Sequence, residues 1–190
     1  MKISFVRTQG NPDRVYVTRT DGTETSWSFP TYGNYIPHDL VHLVVETGFE
    51  LRHGFWGRVD AGVDVERINA EANRKGGADK YARFGRDQHE LLLAELLAAA
   101  RWTDETLTSE DLLSSIAEAC RQQALSLPHH LSVATIQEVR NTIADLCREW
   151  TRLTPKGAVR FFLEAGQPEC RLEASGRFGS GRLCRRRNLE

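Results

Sequence analysis

Between Pro37 and Glu46 the chain reads Pro-His-Asp-Leu-Val-His-Leu-Val-Val-Glu, two histidines and two carboxylates in an otherwise apolar segment. In a helix, His38, His42 and Glu46 fall every fourth residue and form one stripe that drifts by only about 80°. Asp39 lies on its flank, and Leu40, Val41, Leu43, Val44 and Val45 take the rest of the circumference, so most of this helix is expected to be buried. Two imidazoles at i,i+4 can reach a single ion, as they do in H-E-x-x-H. The first expectation is therefore a divalent-metal site, zinc foremost, with His38, His42 and Glu46 as ligands. Asp39 or Glu46 would serve as the base of a metal-dependent hydrolase. Alternatively, Glu46 orients His42 from behind the metal, and His53, His89, Glu90, His129 or His130 completes the shell.

Two features pull the other way. Asp39 follows the first histidine where a zinc peptidase has glutamate, and it is one methylene shorter than the base that chemistry uses. His38 would also sit in the first helical turn, where the positive end of the dipole opposes a cation and favours Asp39 for its own sake. The competing expectation is a noncatalytic interaction or structural protein, with the stripe as a solvated or paired helix face. A metal site calls for a third ligand from a distant segment. The alternative calls for His42 and Glu46 paired to each other or wet.

Other chemistry is poorly represented. Gly179-Ser180-Gly181 lacks the spacing of a nucleophile elbow, and no phosphate-binding glycine loop or dinucleotide fingerprint occurs. Cys120, Cys147, Cys170 and Cys184 are widely spaced and form neither a zinc ribbon nor a disulfide framework, which points to a reduced, cytoplasmic protein. Cys120 and Cys147 have the apolar neighbours of core residues. The start of the chain has no signal-peptide pattern, and no stretch approaches the roughly 20 apolar residues of a membrane span.

The 190 residues carry 40% hydrophobic and 27% charged side chains and a formal net charge of -1, which offers no global attraction to nucleic acid or membrane. Residues 175–188 contain five arginines and no acid, so without them and Glu190 the remainder stands at about −5. Arg182 and Arg185-Arg186-Arg187 form one short basic stretch that lacks aromatic platforms, so nucleic acid is not an expected partner. A protein partner stays open. The last two residues, Leu189-Glu190, match a dipeptide that cloning leaves ahead of a purification tag.

The elements that position the stripe read as α+β. Strands are expected at residues 2–8, 15–20 and 23–29, the last two joined by a two-residue hairpin turn at Asp21-Gly22. The stripe helix starts near Pro37 and stops at Gly48, and glycines frame Phe55-Trp56 as a packed corner. A helix over 59–75 is expected to present Asp60, Asp64, Asn69 and Asn73 as a solvated face, ending at Gly76-Gly77. Asp87 caps a buried helix containing Leu91–Leu93, Glu95 and Leu96-Leu97. Further helices run from Ser109 to about 124 and, capped by Ser132, over 133–153. A strand at 158–164 returns to the opening meander, with a short edge strand at 170–174. The whole is expected as one domain over 1–174, an antiparallel sheet packed by about five helices, with 175–190 a mobile tail.

Ser26-Trp27-Ser28-Phe29-Pro30, the Pro37–Glu46 segment and Gly54-Phe55-Trp56-Gly57 together resemble a family of bacterial hypothetical proteins carrying P-H-D-L-x-H-x-x-V-E followed by G-F-W-G. The resemblance covers most of 27–65 and, more weakly, the long C-terminal helix and last strand. That family has no assigned activity, so the likeness implies an arrangement only: the histidine helix and the aromatic corner belong to one unit. The basic stretch after Ala174 falls outside it.

Overall fold

A computed structural model describes residues 1–8, 12–29, 35–72, 81–163, 170–174 and 181–182, and the chain forms two compact units. One comprises Met1–Pro37 with Ala144–Glu190, the other His38–Ile143. The fold is α+β.

In the first unit, β1 (Lys2–Val6), β2 (Asp13–Thr18), β3 (Glu24–Phe29), β4 (Ala158–Leu163), β5 (Cys170–Ala174) and β6 (Gly181–Arg182) form one antiparallel sheet in the order β3-β2-β1-β4-β5-β6. The N-terminal meander is thus joined through β1 to the late strand β4, with Ile3 opposite both Val17 and Phe161. Because side chains alternate along a strand, this register puts Ile3, Phe5, Val15, Val17, Val159 and Phe161 on one buried face. Phe5 meets Phe29 and Phe161 edge-on at 6.3 and 6.0 Å, and Phe29 lies 6.3 Å from Trp150. Trp150 belongs to the end of α6 (Val133–Arg152), and its carbonyl accepts a hydrogen bond from the Arg7 guanidinium.

The hairpin between β2 and β3 departs from the expected two-residue turn. Arg19 and Thr23 still pair, the Arg19 N–H donating to the Thr23 carbonyl at 2.8 Å, which leaves three residues in the loop. A two-residue turn of the Asp-Gly kind needs positive φ at both positions, and here only Gly22 adopts it, at 85°. Asp21 instead accepts from the Thr23 N–H and hydroxyl. Beyond Ala174, Gly181 and Arg182 pair with Leu172 and Arg171, and the rest of the expected tail lies outside the described residues.

The second unit is helical: α1 (His38–Gly48), α2 (Phe55–Asp60), α3 (Val65–Ala72), a 3₁₀ segment (Ala82–Asp87), α4 (Gln88–Ala98), α5 (Ser109–Gln122) and the first part of α6. The helix expected over 59–75 is two helices, because Gly62 takes φ 83° between them. Asp60 and Asp64 therefore do not share a helical face, and Asn73 and Gly76-Gly77 lie outside the described residues. The Phe55-Trp56 corner is the first turn of α2.

Helix α1 ends at Gly48 as expected, but Gly48 does not supply the left-handed conformation that follows a helix end. That conformation falls two residues later at Glu50, φ 54°, with the Leu51 N–H bonded to the Glu46 carbonyl and the Glu50 N–H to that of Thr47. Gly48 instead clears room for Val139, since a Cβ there would meet the valine at 2.7 Å. Asp87 precedes α4 without a side-chain capping bond, its carboxylate being turned to Arg58 at 2.7 Å. Thr108 and Asp111 form a reciprocal capping box on α5, and Ser132 accepts from the Thr135 N–H at the start of α6. Among the described residues no helix is long and apolar enough to cross a membrane.

Candidate histidine–carboxylate site

Helix α1 forms where the sequence places it, with Pro37 ahead of it and Asp39 in its first turn. Its burial is more complete than a half-wet stripe. Leu40, Leu43, Val44 and Val45 are inside, but so are His42 and Glu46, at 2% and 4% exposure. Only His38, at the helix start, is exposed. Two ionisable side chains a turn apart have been taken from water, which calls for partners.

Glu46 finds three. Its Oε1 accepts from the backbone N–H of Phe55 at 2.9 Å and lies 3.2 Å from Nδ1 of His42. Its Oε2 accepts from the N–H of Trp56 at 3.0 Å. Those amides open α2, where orphan donors and the positive dipole end gather. The residue in the capping position of α2 is Gly54, which has no side chain to offer. Glu46 supplies the cap from another helix, and Gly54 is glycine because a Cβ would stand 2.5 Å from the glutamate's carboxyl carbon. The indole N–H of Trp56 donates to the Asp39 carbonyl at 2.9 Å, closing a second link between the helices.

Gly54→Ala is accordingly expected to destabilise by about 2 kcal/mol through overpacking. Most of that cost should vanish in a Glu46→Ala background, because the two groups compete for one space. A double-mutant cycle by urea unfolding measures it.

His42 is held at both ring nitrogens. Beyond Nδ1 and Glu46, its Nε2 faces Oε1 of Glu95, on α4, at 3.7 Å. The same Glu95 oxygen accepts from the hydroxyl of Tyr81 at 2.6 Å. Tyr81 is fully buried and takes a left-handed φ of 62°, a conformation that costs a non-glycine residue of order 1 kcal/mol or more. Phe55 and His38 lie against the His42 ring at 5.5 and 4.8 Å between centroids. The result is a chain of polar groups, Tyr81–Glu95–His42–Glu46, inside an aromatic wall.

The electrostatics follow from this geometry. Burial alone would lower the pKa of His42, but the hydrogen bond and charge of Glu46, with the charges of Glu95 and Asp39, outweigh it and hold the imidazolium above its ordinary value of 6.5. Burial is the largest influence on Glu46 and raises its carboxyl above 4.5, against the pull of His42 and the Trp56 and Phe55 amides. Burial, then the bond to Glu95, pushes the Tyr81 hydroxyl far up, so it acts as a donor throughout the physiological range.

A raised folded-state pKa at His42 gives stability that is complete below about 6.5 and lost as pH rises through the folded value. The raised Glu46 slopes the same way from 4.5 upward. Stability is therefore expected to decline from mildly acidic toward alkaline pH, and His42→Gln should flatten that decline. Calorimetric Tm from pH 5.5 to 8.5 reads it.

Of the remaining sequence candidates, Asp39 lies one turn before His42 and acts on it through its charge, while His53, His89, Glu90 and His130 make contacts elsewhere. The Asp39 contact given above uses its backbone carbonyl. The backbone N–H of His53 donates to Glu90 at 2.6 Å, and its ring meets Arg58 at 2.9 Å. His89 accepts from the Ser126 N–H at 3.3 Å, and His130 lies 3.3 Å from Glu50. Among the described residues no group of three or more His, Cys, Asp or Glu side chains is arranged to hold a metal ion. Burial raises the thiol pKa of both Cys120 and Cys147, opposite to what a nucleophile needs.

Glu95 and Tyr81 are the participants the stripe did not reveal. Glu95 carried a signal, as an acid inside the apolar run Leu91–Ala98. Tyr81 carried none, since its role depends on an unusual backbone angle. Compared with known proteins, the chain matches no family model, no curated protein and no solved structure.

Proposed function

We propose that this protein works by binding, and that the His42–Glu46–Glu95–Tyr81 network is the part of the fold that ties α1, α2 and α4 together. One observation carries the reading: both Glu46 oxygens are committed, to the amides of Phe55 and Trp56 and to His42. A carboxylate so engaged is a poor general base and a poor ligand, because either role would strip the cap from α2. Its hydrogen bond to His42 is the paired outcome that a noncatalytic helix face calls for. The reading places the protein in the cytoplasm, in keeping with free thiols at Cys120 and Cys147.

One observation favours a second reading, a divalent-metal hydrolase. Glu46 takes Nδ1 of His42, the orientation that leaves Nε2 for an ion, and Glu95 lies 3.7 Å beyond it. In that reading His38 and His42 are ligands, Glu46 orients rather than ligates, and Glu95 replaces it.

Elemental analysis of tag-free protein decides between them, with exposed His38→Ala purified alongside as a variant that leaves the buried network intact. The binding reading expects no stoichiometric zinc, manganese, iron or nickel in either sample, before or after addition of the ions. Stoichiometric metal in the wild type that is lost in His38→Ala would overturn it in favour of the hydrolase.

A further inference from the structure

We infer that the outer face of the sheet is a binding platform for single-stranded nucleic acid. This surface is built from different residues than the histidine network and does not depend on it. The register that buries Ile3, Phe5, Val15 and Phe161 sends their neighbours Lys2, Arg14, Tyr16, Arg160 and Phe162 to the opposite face. Lys2 and Arg14 are exposed, and Tyr16 is 45% exposed.

Each ring carries a cation. The Arg14 guanidinium lies 5.7 Å from the Tyr16 ring centre and the Lys2 ammonium 5.7 Å from that of Phe162. Ser4 sits between Tyr16 and Arg160 in register, so the two aromatic positions stand two strands apart, roughly 10 Å in the pairing direction. Among the described side chains the acid of this face is Glu24, on the far edge strand.

Positive charge for phosphates beside flat rings for bases is the chemistry that holds an unpaired strand, because every base has a π-face to stack. A duplex keeps its bases stacked on each other and has no use for the rings. Charge complementarity thus selects a polyanion, and the rings select a single-stranded one. Composition hid this. A net charge of -1 gave no sign of it, because the rings and cations come from opposite ends of the chain.

The test uses the full chain and fluorescence anisotropy of labelled twelve-residue oligouridine and oligodeoxythymidine, with a blunt duplex of equal length as a third probe. Single strands are expected to bind, more weakly as salt rises, and the preferred sugar separates RNA from DNA. Tyr16→Ala and Phe162→Ala should each weaken binding about fivefold to a hundredfold, and Tyr16→Phe should retain it. Tyr16 is solvent-facing, so Tyr16→Ala carries the test if Phe162→Ala proves unstable. No anisotropy change at low salt would overturn the proposal, as would binding indifferent to Tyr16→Ala or equal affinity for the duplex.

Discussion

Glu46→Ala is expected to lower the unfolding free energy of the helical unit by about 3–5 kcal/mol, although it removes a single buried carboxylate. Three losses coincide. The buried N–H groups of Phe55 and Trp56 each lose the carboxylate oxygen that accepts from them, and His42 loses the carboxylate on its Nδ1. Gln in place of Glu keeps the shape and one acceptor oxygen, so Glu46→Gln should fall between the wild type and Glu46→Ala. Urea unfolding followed by tryptophan fluorescence reports it, with Trp56 at the site itself. A loss under 1 kcal/mol in Glu46→Ala would mean that α2 is capped some other way.

The second large effect is expected at Gly57, where a Cβ would stand 1.9 Å from the carbonyl oxygen and 2.7 Å from the carbonyl carbon of Arg52. Unlike the obstacle at Gly54, this one is backbone and cannot rotate aside. Gly57→Ala must push α2 away from the 52–54 segment, which also draws the Phe55 and Trp56 amides off Glu46. About 3 kcal/mol of destabilisation is expected, at the upper end for overpacking, or a fall in Tm of roughly 6–12 °C. Differential scanning calorimetry measures the shift, and an unchanged Tm would show that the close approach is not required.

These two glycines show how much of the site was legible in the chain. Pro37, Asp39 and the four-residue spacing were enough to place α1, and the alternation in Ile3, Phe5, Val15 and Val17 was enough to place the opening strands. Pairing of β4 with β1 also followed from strands at both ends of the chain. The fate of Glu46 was not legible, because periodicity shows which face a residue occupies and not what meets it there. A glutamate spaced like a metal ligand and a glutamate capping another helix look alike in sequence. The Gly54-Phe55-Trp56-Gly57 run read as a corner because its glycines suggested a turn. Both are needed for close approach instead, one to Glu46 and one to the Arg52 carbonyl. Glu50 and Tyr81, with positive φ at residues that seldom adopt it, left no trace a propensity could detect.

At the centre of the account is a buried imidazolium gripped by Glu46 and Glu95, and ¹⁵N NMR of the histidine ring nitrogens across pH 5 to 9 observes it directly. His42 is expected to stay doubly protonated above the ordinary histidine value of 6.5, and its titration should move down in Glu46→Gln. A neutral His42 ring at pH 6, or a titration unmoved by Glu46→Gln, would contradict the account and return Nε2 to the role of an open ligand.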